Sequence, residues 1–185
     1  MPAQHGFGRE ATVVAVGAFG EAVARFLEAP TAELPDVVGP RGEGTRPVVL
    51  AAWRFSRSAA RALDRRVDGT WVPVTYLHPT IQVGPVFAPG LPGCHECLES
   101  RLLDNDSRPE YVTALWNTYD QSPEVGPRGY LEHHALVAAG LAQVLMGEEP
   151  RPVRGVYTSH VLSGETERHD FVPRPGCSRW EGVLR

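Results

Sequence analysis

Two cysteines three residues apart, Cys94 and Cys97, are the side chains whose type and spacing most clearly indicate chemistry in this sequence. Thiols at C-x-x-C spacing can face one tetrahedral ion, so such a pair often forms half of a zinc site. The third cysteine, Cys177, follows a Pro-Gly dipeptide much as Cys94 does, and Trp180 stands where a second C-x-x-C pair would place its last thiol. We therefore expect Cys94, Cys97 and Cys177 to be the ligands of a structural zinc ion.

Three thiolates leave tetrahedral zinc one ligand short, and a tryptophan side chain cannot supply the fourth. The missing donor is then His95, His169, a carboxylate or water. The alternative is a degenerate site that binds no metal, in which Trp180 fills the space by packing. A redox pair is disfavoured, because thioredoxin-like pairs lie at a helix N-terminus after a strand, whereas a segment rich in proline and glycine precedes Cys94.

Residues 84–93, hereafter the arm, lead to the first cysteine. The arm contains three glycines and three prolines. This composition is incompatible with a helix or a central strand, because proline lacks the backbone donor and glycine favours turns. The sequence therefore predicts an extended, shaped connection that delivers Cys94 and Cys97 to a fixed place.

The remaining candidates for chemistry are weak. His133 and His134 are adjacent, so on a helix their side chains diverge by about 100° and cannot easily share a metal, which favours capping or core packing. His160 and His169 could face each other across a hairpin, but no nucleophile accompanies them. The serines form no G-x-S-x-G elbow, and no pair of carboxylates stands out. We assign no catalytic residue.

The first secondary-structure elements predicted along the chain are a strand, a glycine turn and a helix. Ala11–Val16 is a β-branched run, Gly17–Gly20 contains two glycines, and Glu21–Leu27 has apolar residues at helical spacing. This is the opening of a Rossmann-like unit, but Ala15 occupies the first position of the G-x-G-x-x-G fingerprint. The pattern favours simple strand–helix packing over phosphate binding.

The segment after this helix also disfavours a nucleotide site. Residues 28–46 are rich in Pro, Gly and Glu where a nucleotide-binding fold needs its second strand, and Asp36 is a poor substitute for the usual ribose ligand. The chain has no lysine at all: its 18 basic residues are arginine. Mechanisms that need a flexible ammonium, including lysine-assisted adenylation, are thereby removed. We expect ATP not to be a cofactor and assign no cofactor-binding residue.

The rest of the chain completes an α/β pattern. Residues 47–52 and 71–76 read as strands around a helix at 56–66, which predicts parallel crossovers. Residues 104–129 are predicted to be mostly a long surface excursion, residues 131–146 an apolar helix, and residues 153–162 with 167–172 a hairpin. The predicted fold is a truncated Rossmann-like, mostly parallel sheet flanked by helices, with a C-terminal β-hairpin and a cysteine-containing tail. The expected domain covers residues 11–180, between a lead-in (1–10) and a tail (181–185).

The composition of the chain indicates which partners and which cellular location to expect. The chain has 185 residues and a net charge of −4, with scattered cations, so nucleic acid is not an expected partner. No run of 18 apolar residues and no signal-peptide pattern is present, so we expect no membrane association and a cytoplasmic protein. Three cysteines, two of them at C-x-x-C spacing, fit an intracellular metal or redox site better than a disulfide framework.

The apolar helix at 131–146 also predicts association. We expect Val137, Leu141, Val144 and Leu145 to present more apolar surface than a small sheet can cover. The sequence therefore predicts a homodimer or an obligate heteromer.

The order of these features resembles that of the ThiF-like family, and more narrowly the ThiF-like cyclodehydratase partner proteins of ribosomal peptide pathways that make thiazoles and oxazoles. The resemblance covers about residues 11–180. It rests on the glycine turn, the apolar strands, the arm with its Cys-x-x-Cys, the apolar helix and the closing Pro-Gly-Cys177.

The resemblance implies a ThiF-like fold, a cytoplasmic setting and a role as partner of an ATP-using YcaO-type modifying enzyme, with the precursor peptide contacted directly or indirectly. The family's fourth zinc cysteine falls on Trp180. The short lead-in predicts a form without the family's N-terminal peptide-recognition domain. The expected function is thus a non-catalytic scaffold in the biosynthesis of a modified peptide. The alternatives are an ATP-dependent adenylating enzyme of the ThiF type and a small zinc or redox protein.

Overall fold

The computed structural model describes residues 11–37, 46–66, 69–122, 125, 129–147, 154–177 and 179. The strands of its one described sheet are β1 (Thr12–Val16), β2 (Val48–Ala52), β3 (Trp71–Leu77), β4 (Thr80–Val83), β5 (Arg154–His160) and β6 (Thr166–Phe171). The helices in the described ranges are α1 (Gly17–Leu27), α2 (Leu34–Val37), α3 (Arg57–Arg66), α4 (His95–Asp104), α5 (Pro109–Gln121) and α6 (Glu132–Gly147).

The strands are arranged in the sheet in the same order as in the chain. β1, β2 and β3 are parallel, as the sequence predicts for strands joined through helices. The pairs β3–β4, β4–β5 and β5–β6 are antiparallel. The predicted hairpin is present as β5 and β6, but the unpredicted strand β4 joins it to the parallel half. The sheet is therefore mixed, with its parallel part confined to three strands.

Both faces of the parallel half are covered by helices. Val13 and Val49 point to the face that α1 and α6 cover, whereas Val14 and Leu50 belong to the core beneath α3 and α4. All five residues of β2 are buried. A strand buried on both faces must be apolar at every position, which is why it reads as a continuous hydrophobic run in the sequence.

Helix α1 lies close to the sheet because of one glycine. A Cβ at Gly20 would lie 2.3 Å from the carbonyl oxygen of Ala51 and 3.0 Å from the Cα of Ala15. No side chain fits in that space. The glycine at this position is thus explained by strand–helix packing, the interpretation that the sequence favours.

The prediction of a surface excursion at 104–129 is wrong for its central part, which is the thirteen-residue helix α5. The ring of Trp116 stacks on Phe55 with centroids 4.2 Å apart. Arg57 donates to Asn117 Oδ1 at 2.7 Å, and Asp120 Oδ2 accepts the Ser58 N–H at 2.9 Å. These contacts to α3 and its lead-in stabilise a helix whose own apolar periodicity is weak.

Helix α6 confirms the predicted apolar helix but only part of its predicted surface. One side faces the core through His134, Ala135, Ala138, Ala139, Ala142 and Leu145. Leu145 is 2 % exposed, so it is a core residue and not a candidate for association. Val137 and Val144 are exposed, as is the neighbouring Leu136, while Leu141 is half-buried against the core. None of the described helices combines the length and apolarity needed to cross a membrane.

Candidate metal centre

The arm contacts two strands of the sheet before it reaches the first cysteine. Phe87 exchanges two backbone hydrogen bonds of 2.8 Å with Trp71 at the start of β3. Gly93 has φ = +88°, and a Cβ there would lie 2.8 Å from Cγ of Pro173 and 2.9 Å from Cε1 of Phe171, at the end of β6. The arm can therefore pass directly beside the segment that leads to Cys177 only because residue 93 is glycine.

Cys94 and Cys97 lie at the beginning of α4. Cys94 is the N-cap residue, with extended backbone angles, and Cys97 lies in the first helical turn, where its N–H donates to the Cys94 carbonyl at 3.0 Å. This local geometry places both thiols on the same side of the turn. The sequence predicts the arm but not the helix that begins at the end of it.

Cys177 reaches the pair after a turn that follows β6. Gly176 adopts φ = +77°, and the Cys177 N–H donates to the Arg174 carbonyl at 3.2 Å. The Sγ atoms of Cys94 and Cys97 are 3.7 Å apart, and those of Cys177 and Cys94 are 3.9 Å apart. The structure thus brings together three cysteines that are predicted to share one ion, although 83 residues separate Cys94 from Cys177.

The spacing of the three sulfur atoms fits a zinc ion. Tetrahedral zinc–thiolate bonds of ~2.3 Å place two ligand sulfurs about 3.8 Å apart. The two measured separations bracket that value, and all three Sγ atoms lie within 4.8 Å of one another. The three thiols are therefore close enough to hold one metal ion, and thiolate donors suit zinc.

The surroundings of Cys94 disfavour its thiolate unless a cation is bound. Cys97 and Cys177 are buried, and Cys94 is partly exposed. Burial, together with the neighbouring Cys97 and Cys177, raises the pKa of the Cys94 thiol to about 12. Cys94 therefore carries its proton at neutral pH in the absence of a metal. A bound divalent cation would reverse this preference, because metal coordination deprotonates a thiol.

Two observations bear on the interpretation of Cys94 and Cys97 as a redox pair: their position at the start of α4 and the pKa of Cys94. The pair lies at a helix N-terminus, as in thioredoxin-like proteins, but the arm and not a strand leads into it. A redox-active thiol, however, needs a lowered pKa to be a nucleophile at neutral pH. The raised pKa of Cys94 is the opposite of that requirement.

The histidines considered as fourth ligands do not join the cluster. In the described part of the chain, the group of residues that could hold a metal contains only the three cysteines. His95 is 1 % exposed and stacks on Phe55, with ring centroids 5.3 Å apart, and burial lowers its pKa to about 3. His169 is exposed on β6, where its Nε2 lies 2.9 Å from Thr158 Oγ1. Trp180 and residues 181–185 lie outside the described residues.

A buried arginine supports the arm beside the cluster. Arg154, at the start of β5, is 5 % exposed and donates to the carbonyl oxygens of Val86 and Pro92. Its guanidinium carbon lies 5.5 Å from the ring centre of Phe87 and 5.1 Å from that of Phe171. Burial lowers the pKa of Arg154 to about 10, so it remains a cation at neutral pH. Sequence reasoning missed it, because an arginine opening a strand has no pattern that distinguishes it from a surface residue.

The glycine turn at the start of α1 lies against an indole ring. Gly17 has φ = +71°, and a Cβ there would lie 2.5 Å from Cδ1 of Trp53, which follows β2. The indole also makes an edge contact with Tyr119, at 5.6 Å between centroids. Gly17 is therefore explained by its backbone angle and by the approach of Trp53. Asp36 lies in the short helix α2.

The other histidines differ in their surroundings. His134 is buried, and its Nδ1 lies 3.3 Å from the Tyr76 hydroxyl and accepts the Leu131 N–H at 3.3 Å. Core packing is thus the observed role of His134, as expected. His160 pairs in register with Thr80, and His169 with Val156, so the expectation that these two histidines face each other is wrong.

Comparison with solved structures shows the fold that this chain shares. The heterocyclase TruD is 18% identical, with a TM-score of 0.63 over 94% of this chain and 28% of its own length. A chain of the E. coli microcin synthetase McbBCD complex is 10% identical, with a TM-score of 0.65 over 96% of this chain and 71% of its own. E. coli MccB, solved with succinimide, is 13% identical, with a TM-score of 0.59 over 96% of this chain and 67% of its own.

The present chain therefore spans just over a quarter of the heterocyclase chain. No family model matches the sequence, and no curated protein matches it. At these identities the likeness concerns the fold, which the chain shares with proteins named as a heterocyclase and as part of a microcin synthetase.

Proposed function

We propose that this protein is a non-catalytic subunit of a complex that modifies a ribosomally made peptide, in the cytoplasm. The observation that carries the proposal is the three-cysteine centre at the end of the arm, in a fold shared with TruD and with a chain of the McbBCD complex. The centre stabilises the fold, and the chemistry belongs to a partner enzyme of the YcaO type. The precursor peptide contacts the complex directly or through that enzyme.

The metal in this proposal is a structural zinc ion held by Cys94, Cys97 and Cys177. Zinc would compensate the charge of the Cys94 thiolate, which burial otherwise disfavours, and it would join α4 to the segment after β6. Its presence is tested by elemental analysis of protein purified without added metal. Near-stoichiometric zinc that is lost on Cys97→Ser supports the site. Absence of zinc, together with an unchanged melting temperature for Cys177→Ser, would show that packing alone holds the arm.

The assignment as a non-catalytic subunit rests on the nucleotide half of the fold. Trp53 lies against the turn at Gly17, where a Rossmann-type phosphate site needs the backbone of the turn to be approachable. The chain also has no lysine to contact a phosphate. Neither feature favours an adenylating enzyme, which is the alternative function.

ATP–pyrophosphate exchange separates these two functions. We expect the purified protein to catalyse no exchange, with or without a candidate peptide. Robust exchange that is abolished by changes at the Gly17 turn would establish the adenylating alternative. This assay tests the nucleotide half of the fold and does not test the proposed zinc site.

The subunit role is tested by affinity purification of the protein from the producing cell, followed by mass spectrometry. We expect a YcaO-type enzyme or a precursor peptide to accompany it. Reconstitution then asks whether adding the protein increases ATP-dependent loss of water from that peptide. A fully active modifying enzyme that neither binds the protein nor responds to it would overturn the proposal and favour a small zinc or redox protein.

A further inference from the structure

One acidic side chain contacts both cysteine-bearing segments. Asp64, on α3, is 9 % exposed. Its Oδ2 accepts the backbone N–H of His95 at 3.2 Å, and its Oδ1 accepts a hydrogen bond from Arg179 Nη1 at 2.9 Å. Arg179 also donates through Nη2 to the main-chain carbonyl of Asp64. The carboxylate and carbonyl of Asp64 thus accept bonds from two distant parts of the chain.

The two donors are close neighbours of the cysteines. His95 directly follows Cys94 and opens α4, while Arg179 lies two residues after Cys177. The donors are 31 and 115 residues from Asp64 in the sequence. No local chain geometry can therefore account for their meeting at this side chain.

Helix α3 gives Asp64 a fixed position. Leu63 next to it is completely buried in the core under the sheet. Glu99 of α4 forms ion pairs with Arg57 and, at 3.1 Å, with Arg61, both on α3. The α3–α4 contact is thus held in more than one place. The segment around Cys177 belongs to neither helix, and the bonds from Arg179 to Asp64 connect it to α3.

We propose that Asp64 is a positioning residue of the three-cysteine centre, which holds Cys177 against the Cys94–Cys97 turn before any metal binds. The first part of the proposal, that Asp64 fixes the Cys177 segment, is independent of zinc. The second part, that this fixation strengthens metal binding, rests on the proposed zinc site. Preorganised ligands lose less conformational freedom on binding, and residues that orient ligands typically change metal affinity about 10–100-fold.

The first experiment measures thiol accessibility in metal-free protein. Each cysteine is labelled with a maleimide, and its rate of modification is followed by peptide mass spectrometry. In Asp64→Asn and in Arg179→Gln we expect Cys177 to react about tenfold faster or more than in the unsubstituted protein, because the segment is released, while Cys97 keeps its rate. Arg179 is one third exposed, so its substitution decides the question even if Asp64→Asn fails to fold.

The matched control is Arg168→Gln, which removes an arginine of β6 that forms an ion pair with Asp170. We expect its labelling rates to equal those of the unsubstituted protein. Equal rates at Cys177 in the control, Arg179→Gln and a folded Asp64→Asn would overturn the proposal. A general rise at Cys97 as well as Cys177 in both site variants would also overturn it, because that result indicates loss of structure rather than release of one segment.

The second experiment measures zinc affinity by competition with a chromogenic chelator. We expect about 10–100-fold weaker binding in Asp64→Asn and Arg179→Gln than in Arg168→Gln. Unchanged affinity combined with released Cys177 would refute the coupling to metal while leaving the positional part intact. If the unsubstituted protein binds no zinc, the proposed zinc site fails, and the labelling rates alone decide the role of Asp64.

Discussion

The side chains nearest the cysteine centre show why arginine suits this protein. Its guanidinium presents several N–H donors in a rigid planar fork, whereas a lysine ammonium is a point charge on a flexible stem. Arg154 uses its guanidinium fork to donate to the carbonyls of Val86 and Pro92, which lie near the two ends of the arm. Both contacts would be difficult for one ammonium group to make.

The first prediction concerns this arginine. Arg154→Met keeps the apolar length of the side chain but leaves two carbonyl oxygens without their donor. Each buried, unsatisfied polar group costs about 1–3 kcal/mol, so we expect the free energy of unfolding to fall by roughly 2–6 kcal/mol. Arg154→Lys should recover only part of this loss. Urea denaturation followed by fluorescence measures the change.

Arg168→Met is the control, since it removes an arginine from the adjacent strand whose side chain is 35% exposed. Its expected effect is within about 0.5 kcal/mol, as for most surface substitutions. An equal loss for both variants would mean that Arg154 contributes through general packing and not through the arm.

The second prediction links the thiols to pH. The raised pKa of Cys94 means that a proton competes with the metal throughout the neutral range. Zinc binding must therefore release that proton, and the apparent affinity should rise with pH, about tenfold per pH unit for each proton released. Calorimetry in buffers of different ionisation enthalpy counts the protons. A pH-independent affinity across the neutral range would be incompatible with a protonated Cys94.

At the same scale, the sequence predicts which cysteines come together but not the residues that support them. Cys-x-x-Cys spacing and the repeated Pro-Gly lead-in are local signals, and they identify all three cysteines of the cluster. Asp64 and Arg154 act through contacts with residues that are far away in the sequence, and each looks like an ordinary surface charge on its own element. Such roles are set by the tertiary structure and leave no local pattern.

At the scale of elements, strands and helices with strong periodicity are predictable and short or weakly amphipathic ones are not. β1, β2, β3 and the helix α6 appear where their apolar patterns indicate. β4 has only four residues between a proline and a glycine, too few for a pattern. α5 buries one side chain, Trp116, and depends on contacts with α3 that the sequence does not reveal.

The third prediction concerns the uncovered face of α6. Leu136 and Val144 are 53% and 51% exposed, and a Cβ added to Gly140 between them would meet nothing within 4 Å apart from its chain neighbours and the backbone of its own helix. A second copy could place the same helix against this face, because a two-fold interface pairs a surface with itself. We expect a homodimer that Val144→Glu converts to monomer at micromolar concentration, as measured by light scattering.

Gln143→Glu provides the control, because residue 143 is the exposed neighbour of Val144 on the same helix. It adds the same charge without altering the apolar face, so the dimer should persist. Dissociation by both substitutions would indicate a charge effect. A monomeric unsubstituted protein would show that this face is not a contact between copies.

At the scale of the whole molecule, the fold class could be predicted from the sequence, whereas the direction in which the strands pair could not. The class of an α/β sheet flanked by helices follows from the alternation of apolar strands and helical segments. The change from parallel to antiparallel pairing at β4 could not be predicted, because a short reverse connection at residues 78–79 decides it. The hairpin β5–β6 extends the same sheet, because β5 pairs with β4.

Strand order in this sheet has a kinetic consequence. Every strand pairs with its nearest neighbour in the chain, so a nascent chain can add each strand to one already made. Contacts around Cys177 form across 83 residues, and such non-local closure comes late in folding. We therefore predict that Cys177→Ser refolds at the same rate as the zinc-loaded unsubstituted protein but unfolds about tenfold faster or more, as stopped-flow fluorescence would measure. The metal would then act as a latch on the native state and not as a nucleus for reaching it.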